Sequence, residues 1–130
     1  MSRPFRIALT AAYFVLCCYL FTMPGTAFPK EDWLDTIFFD KWVHIGLFGL
    51  LTVLLCWCGP FRSARAFWTI GLLLTLYGIG VEFVQDRWVP HRSFDLYDWL
   101  ADIAGAVAGL WLWARLLPRL VRRRAPSGLR

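Results

Sequence analysis

The sequence predicts an all-α membrane protein with four transmembrane helices in an antiparallel bundle. The composition is the first observation behind this prediction: 58% of the 130 residues are hydrophobic, eight are tryptophan and only 18% are charged. A water-soluble domain needs a larger charged surface than this. The other two observations are four long apolar segments and an uneven distribution of charge between them. The length allows one domain, residues 1–130.

The four apolar segments predict the helices and their approximate bounds. At 1.5 Å of rise per residue, each segment can span roughly 30 Å of hydrocarbon. The predicted helices cover residues 7–23, 42–58, 66–85 and 98–117. Residues 118–130 form a basic tail, and residues 29–39, with apolar and acidic positions at helical spacing, predict a short interfacial helix in the first outer loop.

The first and fourth segments each have an alternative interpretation. Gly25 and Ala27 follow the first segment as small residues do at a signal-peptide cleavage site, but the length of the segment favours a retained helix. The fourth segment has only 12 uncharged residues between Asp102 and Arg115, so a full crossing takes Asp102 into the membrane. A re-entrant hairpin is the alternative, and the charge distribution favours the full crossing.

Charge is divided between two sides of the predicted bundle. The N-terminus, residues 59–65 and the C-terminal end from Arg115 contain ten arginines and no acidic residue. The opposite side contains all nine acidic residues and four basic ones. Because cytoplasmic loops carry an excess of Lys and Arg, both termini are predicted to lie in the cytoplasm.

This placement of charge also bears on partners and cofactors. Basic residues cluster at helix ends and form no groove with interleaved aromatics, so we expect a lipid bilayer as partner and no nucleic acid. Four cysteines lie within apolar segments, without the polar loops of a zinc site. The sequence therefore assigns no metal ligands and no cofactor, and it leaves the oligomeric state open.

The predicted fourth helix carries a polar stripe that becomes a small-residue stripe. Asp95, Asp98 and Asp102 are spaced three and four residues apart, and the same face continues as Gly105 and Gly109. Glycines on one face allow another helix to approach closely. We therefore expect this face to point into the bundle, with carboxylates at one end and helix packing at the other.

The second and third helices carry polar residues at the same end. Asp40 and His44 are four residues apart and share a helix face, with Lys41 adjacent, while Glu82 and Gln85 are three apart. Charged groups in a bilayer are costly and usually have partners. We predict a polar or ligand-binding pocket that comprises Asp40, Lys41, His44, Glu82, Gln85, Arg92, Asp95, Asp98 and Asp102.

The charge of this end is unbalanced. With Asp86 and Arg87 included, it contains six acidic residues and three basic ones. In a partly dry pocket, such an excess predicts that one or two carboxyl groups are protonated or that a cation is bound. His44 is a candidate to share such a proton.

In order along the chain, the same residues resemble the VanZ-like family. That family's pattern is an Asp-Lys-x-x-His motif, an E-x-x-Q motif and an R-S-F-D segment that leads to D-x-x-x-N-x-x-G. The matching segments here are residues 40–44, 82–85, 92–95 and 98–105. Asp102 departs from the pattern, because many members carry asparagine there. The resemblance implies a four-helix protein of the bacterial cytoplasmic membrane, and the founding member is associated with teicoplanin resistance.

Three kinds of function fit these residues. The first is an envelope protein whose outward-facing polar pocket binds a lipid-linked or glycopeptide-like ligand, with a role in teicoplanin resistance or envelope maintenance. The second is a membrane enzyme that uses paired carboxylates and His44, with or without a divalent cation, on a lipid or cell-wall intermediate. The third is a structural, assembly or transport protein whose polar residues hold helices together. No catalytic residue is assigned.

Overall fold

The computed structural model describes residues 1–24, 26, 38–59 and 63–124, and side chains up to residue 116. Within these ranges the fold is all-α. The four helices are α1 (Arg3–Phe21), α2 (Phe39–Cys58), α3 (Ala64–Trp88) and α4 (Leu96–Arg124). The predicted helical fold is therefore confirmed. The predicted interfacial helix falls almost entirely outside the described residues.

All four helices begin a few residues before the predicted positions. Polar capping residues explain the difference at α3 and α4, whereas α2 follows Phe38 without a side-chain cap. Ser2 precedes α1, which has a proline in its first turn, and the Ser63 hydroxyl accepts a hydrogen bond from the Ala66 N–H at the start of α3. Capping residues are polar and lie outside the hydrophobic segment that they start. A boundary drawn from hydrophobicity alone is therefore too short.

The last helix also ends later than the hydrophobic pattern predicts. α4 continues through Pro118 to Arg124, into the stretch predicted as a basic tail. Proline removes the hydrogen bond of its own nitrogen, whereas Leu120 and the arginines that follow favour helix.

Three helices have the length and composition of membrane spans. α1, α2 and α3 are each long and apolar enough to cross a bilayer, and only 17%, 28% and 22% of the residues in these spans are buried inside the protein. α3, for example, exposes Trp68, Leu72, Leu73 and Phe83. Contiguous exposed apolar surface of this kind is suited to lipid. The chain is therefore a multi-pass membrane protein.

Consecutive helices run antiparallel. Arg6 donates to the Trp57 carbonyl at 2.7 Å, which joins the start of α1 to the end of α2. Between α3 and α4, the Trp99 indole N–H donates to the Thr75 carbonyl at 3.1 Å, while Leu110 packs beside Gly71. The predicted up-and-down arrangement of the bundle follows from these contacts.

α2 and α4 run parallel and form the closest helix pair. A Cβ atom on Gly105 would lie 2.5 Å from the Ile45 carbonyl oxygen, and one on Gly109 would lie 2.5 Å from the Gly49 carbonyl oxygen. The two backbones therefore touch at successive turns, as the small-residue face predicted. α4 accompanies α2 in register, which supports a full crossing by α4. α4 is not among the apolar candidate spans found within the described residues, so that crossing remains a prediction.

Alanine at Gly105 or Gly109 should destabilise the protein, because the new methyl group must push the α2 and α4 backbones apart. We expect a loss of about 1–3 kcal/mol in each variant, measured by unfolding in detergent. Gly46→Ala is the matched control on α2, since nothing lies within 4 Å of the added Cβ. An equal loss at Gly46 would contradict the close-packing interpretation.

If α4 crosses the membrane, the two termini lie on the same side. In a cysteine-free background, a membrane-impermeant maleimide should label Ser93→Cys in intact cells. Ser2→Cys and Ser127→Cys should react only after permeabilisation, because the arginine-rich side is predicted to face the cytoplasm. Labelling of Ser2→Cys and Ser127→Cys from opposite sides would instead show that α4 turns back.

Candidate functional site

The acidic side chains of the described residues gather with Lys41 and His44 at one end of the bundle, called here the polar end. It is formed by the first turns of α2 and α4 and the last turns of α3. The structure brings together side chains from all three helices there. The polar end therefore contains a surface layer of ion pairs and a buried cluster beneath it.

Asp95 connects the three helices of the polar end. It caps α4, because its Oδ1 accepts the Tyr97 backbone N–H at 2.8 Å. Its own backbone N–H donates to Glu82 Oε2 on α3 at 2.9 Å, and its Oδ2 accepts from the Lys41 ammonium on α2 at 2.6 Å. One residue thus fixes the start of α4 relative to both neighbours.

The charges around Asp95 affect its titration. Partial burial raises the pKa of Asp95, but the hydrogen bond from the Lys41 ammonium and the backbone N–H of Tyr97 together outweigh it and lower the pKa below its usual value. Asp95 is therefore ionised at neutral pH and retains its ion pair with Lys41.

Lys41 lies between surface and buried carboxylates. Its ammonium is 2.7 Å from Asp40, 2.6 Å from Asp95 and 2.7 Å from Asp98 Oδ1. The Asp40 side chain is 53% exposed, whereas that of Asp98 is 7% exposed. A single cation therefore compensates carboxylates at two depths.

His44 lies directly below this layer and is buried. With Nδ1 protonated, it donates to Asp102 Oδ1 at 2.8 Å, and its Nε2 is 3.8 Å from Asp98 Oδ2. The Phe21 ring from the end of α1 packs over it, with ring centroids 4.9 Å apart. The imidazole is therefore oriented by one carboxylate and directed towards a second.

Glu82 and Asp102 are fully buried, and each carboxylate has one oxygen atom without a hydrogen-bond partner among the described residues. These atoms are Glu82 Oε1 and Asp102 Oδ2. Asp102 fits against α3 only because position 78 is glycine, where a Cβ would lie 2.8 Å from Asp102 Oδ2. Two buried acceptors without donors would cost free energy in a purely structural network.

Two predicted site residues lie beside the cluster. Gln85 is buried, and its side-chain amide donates to the Phe21 carbonyl at 2.9 Å, which joins α3 to the end of α1. Arg92 is half-buried in the connection between α3 and α4. Gln85 therefore holds the helix that covers His44.

Sequence reasoning missed Phe21 and Gly78. Phe21 covers His44, and Gly78 makes room for Asp102. Gly78 stands one turn before Glu82 on the same face of α3, and that spacing was the available signal. The sequence contained no corresponding signal for Phe21, because the first predicted helix carries no polar site residue that would place it beside the cluster.

Two sets of side chains have the geometry to hold a cation. His44, Glu82 and Asp98 each offer one ligand atom, and these atoms lie within 4.8 Å of one another. Asp40, Asp95 and Asp98 form a second set of the same size nearer the surface. Lys41 already occupies the second set with its ammonium. The first set is buried in all three members.

An apolar groove adjoins the buried cluster. It has a volume of about 300 Å³ and runs between α1 and α3, lined by Phe21, Tyr77, Gly80, Val81 and Val84 among others. Phe21 is shared between the groove and the cover of His44. A hydrocarbon chain in this groove would therefore end close to the cluster.

Comparison with known proteins identifies the family. The family model described as VanZ/LLP1 matches residues 8–118. The chain belongs to the VanZ/LLP1 family. The match includes α1, which lies outside the motifs that carried the resemblance.

An uncharacterised protein of Schizosaccharomyces pombe is 29% identical to this VanZ/LLP1 member over 107 residues, which are 82% of this chain and 60% of the yeast protein. The chain thus spans about 60% of the length of that relative. No solved structure matches the chain.

Lys41→Met should destabilise this VanZ/LLP1 protein, since it leaves Asp98 buried without its cation. We expect a loss of about 3 kcal/mol in the free energy of unfolding in detergent. Asp40→Asn, which removes an exposed partner of the same lysine, should cost less than about 1 kcal/mol.

The double variant Lys41→Met/Asp98→Asn provides the control for this prediction. It should recover part of the loss, because the buried charge is removed with its partner. A loss in the double variant equal to the sum of the two single variants would contradict the coupling of Lys41 and Asp98.

Proposed function

We propose that this VanZ/LLP1 protein binds the polar head of a lipid-linked or glycopeptide-like molecule at its polar end. The observation that carries the proposal is the convergence of acidic side chains, Lys41 and His44 from three helices at one end of a bundle whose helices expose mainly apolar side chains between their ends. Intramembrane charges are costly, and they mark functional sites more often than plain helix packing does. The ligand head would contact Asp40, Lys41 and Asp95 first, with His44, Asp98 and Asp102 below.

The ion pairs of Lys41 support recognition of a polar head. Lys41 contacts three carboxylates at once, each within 2.7 Å. A cation or hydrogen-bond donor of the ligand can therefore replace the ammonium at one carboxylate while Lys41 keeps its other two partners. Such an exchange would open the surface layer towards His44 and Asp98. We therefore expect ligand binding and the Lys41 ion pairs to compete.

The groove between α1 and α3 supports a ligand with a hydrocarbon chain. Its lining is almost wholly apolar, and it ends at Phe21, which covers His44. Ligand sites combine an apolar wall with a few placed polar groups. A lipid-linked ligand would place its chain in the groove and its head at the cluster.

A membrane enzyme is the second candidate function. Asp102 orients His44 through Nδ1, and this leaves Nε2 directed at Asp98, 3.8 Å away. A histidine held in this way can act as a general base. The substrate would be a lipid or cell-wall intermediate of the same kind as the proposed ligand.

The cellular setting belongs to the same proposal. From the segregation of charge, we infer that the polar end faces outward and that both termini lie in the cytoplasm. The bacterial cytoplasmic membrane is the location that the VanZ-like resemblance implies. Teicoplanin resistance or envelope maintenance is the proposed physiological role. The Schizosaccharomyces pombe relative indicates that the family also occurs outside bacteria.

Binding should be measured with purified protein in lipid nanodiscs, with teicoplanin and a lipid-linked cell-wall precursor as probes. We expect saturable binding of at least one probe by the wild type and a loss of about tenfold or more in Asp98→Asn. Asp86→Asn, an exposed carboxylate one turn beyond Glu82, is the matched control and should bind normally. Product analysis in the same samples tests the enzyme candidate.

Two outcomes would count against ligand binding. If neither probe binds the folded wild type, the proposed ligand class is wrong. If Asp98→Asn fails to accumulate while Asp86→Asn accumulates normally, the carboxylates serve helix packing instead.

A further inference from the structure

We propose that His44, Glu82 and Asp98 bind one divalent transition-metal cation of the Mn²⁺ or Zn²⁺ class. The site lies within the polar end, between α2, α3 and α4, with one ligand from each helix. This inference goes beyond the proposed function, because the three side chains can bind the metal without a lipid-linked or glycopeptide-like molecule. It also differs from the sequence analysis, which assigned no metal ligands.

The separation of the three side chains suits a shared cation. Their ligand atoms lie within 4.8 Å of one another, and His44 Nε2 is 3.8 Å from Asp98 Oδ2. That distance is too long for a hydrogen bond. Two atoms bonded to one cation at about 2.1 Å can be up to about 4.2 Å apart, so a metal fits between His44 and Asp98 as they stand, and the Glu82 carboxylate would move towards them to complete the site.

The unpartnered oxygen of Glu82 is an independent indication of a ligand. Glu82 is 0% exposed, its Oε2 accepts the Asp95 N–H, and its Oε1 has no partner among the described residues. A buried carboxylate oxygen without a donor is unfavourable. A cation between Glu82, His44 and Asp98 would satisfy it.

The other atoms of the ligands are already held in place. Asp102 accepts the His44 Nδ1–H, which leaves the lone pair of Nε2 free for a metal. Histidine ligands of metals commonly donate their second N–H to a carboxylate in this way. Asp98 is held in the same way: its Oδ1 forms an ion pair with the Lys41 ammonium, and its Oδ2 faces His44. Asp102 and Lys41 are therefore positioning residues.

The chemistry of the ligands selects the class of cation. Imidazole suits Zn²⁺ and other late first-row metals, while carboxylates suit Mn²⁺, Mg²⁺ and Ca²⁺. One nitrogen and two carboxylates favour Mn²⁺ or Zn²⁺ over Mg²⁺ and Ca²⁺, which prefer to be coordinated by oxygen atoms alone. Three protein ligands leave a coordination position open, as in sites where metals bind a substrate or water.

Mn²⁺ is the probe for the test, since the four cysteines of the chain would also attract Zn²⁺. The tag-free protein in nanodiscs of neutral lipid is treated with a chelator, dialysed and titrated with Mn²⁺. We expect one saturable Mn²⁺ per chain, displaced by Zn²⁺, with a nitrogen coupling in the electron spin-echo spectrum from His44. Glu82→Gln and Asp98→Asn should each weaken binding by at least about tenfold.

Two further variants separate ligands from neighbours. Asp86→Asn should bind Mn²⁺ like the wild type, because Asp86 lies on α3 one turn beyond Glu82 but is exposed. Asp102→Asn retains an oxygen that accepts the His44 N–H and should bind within about tenfold of the wild type, whereas Asp102→Ala should lose about 10–100-fold.

The test gives a clear answer in each direction. Circular dichroism and gel filtration identify which variants are folded, and only those are compared. Absence of saturable Mn²⁺ binding by the folded wild type overturns the proposal, as does binding that Glu82→Gln leaves unchanged. Teicoplanin or precursor binding by a folded wild type that shows no saturable Mn²⁺ binding would overturn the metal proposal and leave the ligand proposal standing.

Discussion

Direct contact between the backbones of α2 and α4 is the constraint on which the rest of this structure depends. Gly105 and Gly109 leave no room for a side chain against Ile45 and Gly49, so the two helices run in register along their length. Because the register is fixed, Lys41 and His44 must lie opposite Asp98 and Asp102. Packing of small residues in the middle of the bundle therefore determines the pairing of charges at its polar end.

The buried carboxylates are compatible with a membrane only because their partners come from different helices. Lys41 compensates three carboxylates at once, and His44 bridges the region between Asp98 and Asp102. α3 contributes Glu82, and the absence of a side chain at Gly78 on the same helix leaves the space that Asp102 occupies. The cluster nevertheless retains more buried acceptors than donors among the described residues. That excess separates it from an ordinary packing network and supports a cation or a ligand at this end.

These contacts fall on the motifs that carried the resemblance to the VanZ-like family. The Asp-Lys-x-x-His segment of α2 supplies Lys41 and His44, and the R-S-F-D segment ends on Asp95, which caps α4 and contacts both neighbouring helices. Asp102, where many members carry asparagine, accepts the His44 N–H through one oxygen. An asparagine oxygen can make the same bond, so the departure changes the charge of the site while the orientation of His44 is retained.

By itself, the sequence determined the helical class, the four long helices of the described residues, the end of the bundle where Asp40, Glu82, Asp95, Asp98 and Asp102 gather, and the face of α4 that packs. Hydrophobic runs, charge segregation and helical spacing are local properties, and the residue types alone reveal them. Helix ends were less well predicted, because Ser63 and Asp95 cap helices from outside the apolar runs. The tertiary structure alone decided which acids meet: Asp98 and Asp102 both face His44, Gln85 turns to Phe21, and Gly78 makes room for Asp102. Such contacts join residues more than twenty positions apart in the chain, so their distances follow from helix register rather than from any local pattern.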